Sequence, residues 1–205
     1  MRWRHLLFNE VPKKVFYVYA SRNATIDKML EEGLIHKAIK NLPDNYDTLA
    51  KILAPYCPEG VLLIVDDGLS QMEDYLPRLF EEYTSKNNTS ILFVSQATFL
   101  DSSNFRRLSD NSHYIICLRN KRNSLKIRSL ATQAKPCNPQ FVVNSYIDAT
   151  KPKILMKVGN EEEEQSTGYG YFIFDFSLSS PEVMNFRTNI FPNELEPVTV
   201  YIEKK

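Results

Sequence analysis

Three short runs, VFYVYA (residues 15–20), VLLIVDD (61–67) and SILFVSQ (90–96), are apolar almost without interruption. A strand with one wet face alternates apolar and polar side chains. A run without alternation is buried on both faces, and such strands belong to parallel sheets covered by helices. Segments with helical spacing lie between these runs. Residues 25–40 place Ile26, Met29, Leu30, Leu34 and Ala38 near a 3.6-residue period, and residues 46–53 read as a short helix closed by Pro55 and Pro58. Residues 72–86 put Leu76, Leu79, Phe80 and Tyr83 on one face. HYIICLR (113–119) is a fourth apolar run, followed by helical patterns at 124–134 and 140–146 and by late strands at 169–176 and 198–202. The expected fold class is α/β, a mainly parallel sheet with helices on both faces.

The 205 residues suit one mid-sized domain with a substantial core. Twenty-five basic and 25 acidic side chains leave no net charge, so any nucleic-acid role must come from a local patch. No apolar run approaches the roughly 18 residues of a membrane helix. The opening MRWRHLLFNEVPKK has neither the apolar core nor the cleavage site of a secretory signal. Cys57, Cys117 and Cys137 are too few and too scattered for a disulfide frame or a zinc site. The expectation is an intracellular chain, cytoplasmic or nuclear and not secreted, in which the three N-glycosylation sequons at Asn23, Asn87 and Asn88 are chance matches. Four consecutive acids, Glu161 to Glu164, repel one another and mark residues 159–168 as a solvated, flexible loop.

The run VLLIVDD ends in Asp66 and Asp67. Ligands of open α/β sheets bind beyond the carboxyl ends of the strands, where a nucleotidase places one acid for Mg²⁺ and a second to orient the attacking water. The same Asp-Asp-Gly also reads as an ordinary turn after a strand, because Asp and Gly favour turns for local backbone reasons. SILFVSQ brings Gln96 to the matching end of the next strand, a side chain able to sense a terminal phosphate or hold a water, though Gln is equally at home in a loop. Together, the two strand ends look like the Walker B and sensor positions of a RecA-like P-loop ATPase.

The stretch FRRLSDNSHYIICLRNKRNSLKIRSLATQAKP (105–136) resembles a segment of the FtsK/HerA-type DNA-packaging ATPases, in particular those of adintoviruses and Polinton (Maverick) transposons, often integrated in animal genomes. Arg106, Ser109, Asn111, Ser112, His113, Tyr114, Ile115, Arg122, Ile127, Arg128, Leu130, Ala131 and Gln133 fall on matching positions. The ending GYGYFIFDFSLSSPEVMNFRTNIFPNE is similar to that family's ending, a Gly-Tyr strand before an RTNIFP-like tail. The sequence departs from the pattern at Ala97, Lys121 and Asn123. The resemblance implies a RecA-like core, ATP-driven DNA translocation by a ring of identical subunits, and Mg²⁺ and ATP as cofactors. It implies Asp66 as the Mg²⁺ carboxylate, Asp67 as the residue polarising water, Gln96 as the γ-phosphate sensor and Arg106 as a finger reaching a neighbouring subunit's nucleotide, with Arg107 beside it. A guanidinium suits that task because its fork spans two oxygens of a phosphoryl group; a surface arginine paired with Asp101 or Asp110 is the alternative for either.

None of the 6 glycines lies in a GxxxxGK[ST] arrangement, the loop whose backbone N–H groups, Lys and hydroxyl cradle phosphate and Mg²⁺. The expectation is therefore a chain truncated at its N-terminus, lacking the first strand and phosphate loop: either an incompletely read gene or a decayed, integrated copy, inactive alone. In such a sheet the first strand lies beside the sensor strand. The rival is a non-catalytic α/β interaction or DNA-binding module derived from such an ATPase. Residues 101–135 hold eight basic side chains against two acids. Arg119, Arg122, Lys126 and Arg128 are candidates for the backbone of double-stranded DNA, and a solvated helix face with ion pairs explains them equally. The histidines lack metal-ligand spacing, no nucleophile motif is present, and Asp175, without a partner acid, reads as structural.

Overall fold

The computed structural model describes residues 4–66, 75–95, 103–120, 124–151, 154–155, 165–166, 170–191 and 197–204. They form two compact units, Met1–Asn111 and Ser112–Lys205.

The first unit runs α1 (Arg4–Leu7), β1 (Lys14–Tyr19), α2 (Ala24–Glu31), β2 (Lys37–Lys40), α3 (Tyr46–Leu53), a 3-10 turn (Ala54–Glu59) and β3 (Val61–Asp66). It continues through α4 (Leu76–Arg78), a π-helical turn (Leu79–Tyr83) and α5 (Thr84–Lys86), which follow one another directly, to β4 (Thr89–Val94) and α6 (Ser103–Asp110). The four strands form one all-parallel sheet in the order β2-β1-β3-β4. Its interior strands explain the missing alternation. Phe16, Val18, Val61, Leu63 and Val65 face one core with Leu49 and Leu53 of α3, Leu79, Tyr83 and Leu108 of α6. Val15, Tyr19, Leu62 and Ile64 face a second core with Ile26 of α2. Helices thus cover both faces of the interior strands β1 and β3, whereas SILFVSQ, expected to be buried on both faces, forms the edge strand β4 with Leu92 and Val94 exposed.

Asparagines set two of the helix starts. Asn23 Oδ1 accepts the Ile26 N–H at 3.1 Å and Asn45 Oδ1 accepts the Thr48 N–H at 2.9 Å, each satisfying a first-turn donor. The helix expected over 25–40 is shorter than its periodicity suggests. It ends at Glu31, and Lys37–Lys40 form a strand parallel to β1. The stop is Gly33, at φ +64°, whose N–H donates to Leu30 O at 3.0 Å while Leu34 N–H donates to Met29 O at 2.9 Å. This pair of bonds is the Schellman closure, which needs a left-handed residue. Past it, Ala38 and Ile39 pack against the two cores from a strand instead of a helix.

The second unit contains β5 (Tyr114–Leu118), α7 (Ser124–Ala134), α8 (Pro139–Ala149), the two-residue strands β6 (Ile154–Leu155) and β7 (Gln165–Ser166), β8 (Tyr171–Asp175), a 3-10 turn (Glu182–Met184), β9 (Phe186–Thr188) and β10 (Thr199–Val200). HYIICLR, expected to join the parallel sheet, pairs antiparallel with β8 in a separate sheet ordered β10-β9-β8-β5. Both parities of that run are apolar, so its direction and partner are not readable from its pattern; Tyr114, Ile116 and Leu118 are exposed while Cys117 is buried. Gln165–Ser166, within the segment expected as an acidic loop, pair with β6; Glu161 to Glu164 lie outside the described residues. Phe172, Phe174 and Phe186 form an aromatic core with Tyr146 of α8. Gly170 enters β8 where a Cβ would come within 2.4 Å of Ala149 O, so backbone passes where no side chain fits.

Gly33→Ala keeps open space around the new methyl group but forces a side chain into left-handed backbone. It should lower stability by about 1 kcal/mol, with Gly33→Asn losing less, read from midpoints of urea unfolding.

Candidate functional site

Strand order determines where a parallel sheet leaves room for a ligand. The chain leaves β1 toward β2 on one side and leaves β3 toward β4 on the other, so connections diverge between the carboxyl ends of β1 and β3. Asp66 is the last residue of β3 at that rim. It lies opposite Tyr19 of β1 and Val94 of β4 in the parallel register. Its side chain is half-buried. The phenol of Tyr17 donates to Asp66 Oδ2 at 2.5 Å across 49 residues of sequence. Burial, followed by this bond and the charge of Asp66, raises the Tyr17 hydroxyl to about 12, so it remains a donor throughout the physiological range.

The two strands expected to share a rim are indeed neighbours: β3 and β4 pair in parallel from Val61↔Thr89 to Asp66↔Val94. Asp67 and Gln96, which follow these strand ends, lie outside the described residues. β4 is an edge of the sheet. Its Ile91 and Phe93 pack on the α3-side core, whereas Leu92 and Val94, on the same face as Asp66, are 40% and 44% exposed. No described residue gives β4 an inner-strand environment on that face.

The two arginines of α6 separate cleanly. Arg107 is engaged with Glu81 of the π-helical turn, Nε at 3.0 Å and Nη2 at 2.6 Å, and Asn111 Nδ2 adds a bond to the same carboxylate. Neighbouring positions on a helix point about 100° apart, so Arg106 faces elsewhere; it is exposed and has no ion-pair partner among the described residues. The partner of Arg107 is therefore Glu81, not the Asp101 or Asp110 that chain proximity suggests. Sequence reasoning missed Glu81 because it lies 26 positions earlier.

The described cations of the basic segment in the second unit differ in their surroundings. Arg119 and Arg128 are exposed and Lys126 is half-buried with a partner of its own. Lys126 and Arg128 are two positions apart on α7, about 200° around its axis. Lys135 forms an ion pair with Glu203 at 2.8 Å, and Lys121 and Arg122 lie outside the described residues.

Asp175 is structural, as its isolation in the sequence implies. It is buried, with Oδ2 at 2.7 Å from Arg187 Nη1, and it accepts from Ser177 N–H and Ser180 Oγ. All three cysteines are free; burial pushes the Cys117 thiol up to about 12, which keeps it protonated and unreactive. Among the described residues no three His, Cys, Asp or Glu side chains come together as a metal site. Among the described residues no helix is long and apolar enough to cross a membrane.

The Glu81–Arg107 pair is partly exposed, so a double-mutant cycle should return less than about 1 kcal/mol, shrinking with added salt. Arg106→Ala should stay within about 0.5 kcal/mol of the parent stability, measured by the same unfolding curves. Compared with protein-family models, with curated proteins and with solved structures, the chain matches none.

Proposed function

We propose that this chain carries the acid-and-sensor half of a RecA-like, packaging-type ATPase, whose reaction is ATP hydrolysis coupled to movement along double-stranded DNA by a ring of identical subunits. The observation that supports the reading is the adjacency of β3 and β4, whose paired ends are Asp66 and Val94. The open edge of β4 supports it, because the family resemblance puts the phosphate-loop strand beside the sensor strand. Asp66 would hold the water shell of Mg²⁺, Asp67 would polarise the attacking water, Gln96 would sense the γ-phosphate, and exposed Arg106 would reach a neighbouring subunit's nucleotide. Bound Mg²⁺ would supply neutralisation of triphosphate charge.

On this reading Asp66 and Asp67 would serve the cation, but no residue of the sequence would cradle the triphosphate. The sequence has no GxxxxGK[ST], so the reading assigns hydrolysis only to the chain together with a phosphate loop supplied from outside these residues. The same observation favours a second reading, a non-catalytic α/β interaction module that has kept the acidic rim.

The purified chain with Mg²⁺ and ATP should show no hydrolysis above an Asp67→Asn control. Turnover clearly exceeding that control would overturn the assignment of a missing cradle. Complementation with a phosphate-loop segment should restore turnover that Asp67→Asn abolishes; its absence favours the interaction module. Binding to duplex DNA should weaken linearly with the logarithm of salt concentration and be lost on charge reversal at Arg119, Arg122 and Lys126. Salt-insensitive or absent binding removes DNA as the partner.

A further inference from the structure

β5 is an edge of the second unit's all-antiparallel sheet. One bond settles which way its backbone groups point: Phe176 N–H donates to His113 O at 2.8 Å. Bonded positions alternate along an antiparallel strand. His113, Ile115 and Cys117 therefore turn their N–H and C=O groups to β8, and Tyr114, Ile116 and Leu118 turn theirs to the open edge. Tyr146 of α8 donates its hydroxyl to Leu118 O at 3.0 Å. The outward groups of Tyr114 and Ile116, and Leu118 N–H, have no hydrogen-bond partner among the described residues. The side chains of the same three residues are 51%, 51% and 60% exposed. Proteins ordinarily blunt such edges with charge, proline or brevity. β2 carries exposed Lys37 and Lys40, and β10 is two residues long behind Pro197. The run YIICL has neither charge nor proline.

We infer that β5 is a self-association edge: β5 of a second copy pairs with it antiparallel across a two-fold axis at Ile116, joining two four-stranded sheets into one. The register follows from the unpaired groups. Ile116 exchanges both bonds with Ile116 of the second copy, and Tyr114 and Leu118 face each other on either side of the axis. Leu118 O keeps a second lone pair for the new donor. On one face the side chains then meet as Ile on Ile and Tyr on Leu, apolar cross-strand pairs of the kind that stabilise sheets. One position further out, Arg119 meets His113 of the second copy, so the register sets no second guanidinium against it. β4, the other uncharged edge, suits this pairing less. A two-fold axis turns the partner strand antiparallel, which continues the sheet of β5 but breaks the parallel order of β4. Such a contact closes at two copies; it is separate from the ring of the proposed function and does not rest on that reading. A contact confined to five-residue strands falls below the roughly 1,200 Å² of a standard interface, so the dimer is weak and concentration-dependent.

The test is sedimentation velocity of the full chain from about 1 μM to 1 mM, joined to disulfide trapping. The mass should rise with concentration from 23.8 kDa toward twice that value. Ile116→Lys, which sets two ammonium groups against each other at the axis, should stay monomeric throughout. Leu118→Lys, at a more exposed position, is read in the same way if the first variant does not fold. Cys137→Ser removes the exposed thiol. In that background Ile116→Cys should form an inter-chain disulfide under mild oxidation, because bonded positions of paired strands lie about 5.5 Å apart between Cα atoms. Leu125→Cys, exposed on α7, should not. A monomer at every concentration overturns the inference and leaves the edge to a different occupant. An assembly that both lysine variants leave intact, or trapping at residue 125 as efficient as at residue 116, also overturns it, because copies then meet elsewhere.

Discussion

The first unit depends on the two-sided burial of β3. Val61, Leu63 and Val65 enter one core, Leu62 and Ile64 enter the other, and all five are at most 3% exposed. The backbone of the same strand is paired on both edges, with β1 and with β4. A polar side chain in the middle of such a strand would have no route to water and no spare partner. The first position at which the strand can release a carboxylate to solvent is its end, and Asp66 stands there. The acid's location is therefore a consequence of the packing that precedes it.

That release is incomplete, and the remainder gives the rim its character. Asp66 shares its face of the sheet with Tyr17 and Tyr19 on one side and with Leu92 and Val94 on the other. The β1 side is covered by α2 and supplies the hydroxyl that ties one carboxylate oxygen. The β4 side is an apolar, half-open edge. On α6, the pairing of Arg107 with Glu81 likewise divides two adjacent guanidiniums into one that anchors the helix and one left facing outward.

Several elements were legible because local chemistry and tertiary demand agree. VLLIVD, YDTLAKIL and SLKIRSLATQA occur as strand, helix and helix at the boundaries their patterns suggest. Asn45 followed by an amphipathic turn both caps the helix and buries Leu49 and Leu53. Legibility failed where one residue overrode a longer pattern. Gly33 ended a helix whose apolar period ran on, and KAIK became a strand because β1 offered it an edge to pair with. The strand FRT (Phe186–Thr188) went unread because three residues carry no period of their own; only pairing with β8 and β10 defines it.

The sequence by itself determined that VFYVYA and VLLIVD would be strands buried on both faces and that an acid, Asp66, would stand at the end of the second, because burial and turn chemistry act within a few residues. Only the tertiary structure decided that HYIICLR turns away from the parallel sheet to pair with YFIFD, that Tyr17 rather than a neighbour in the chain holds Asp66, and that Arg107 rather than Arg106 is spent on an ion pair. Each of these unites groups separated by dozens of residues. Which strand edge lies beside which, and which donor reaches which carboxylate, follows from the way whole elements pack, a property that no local window of side chains contains.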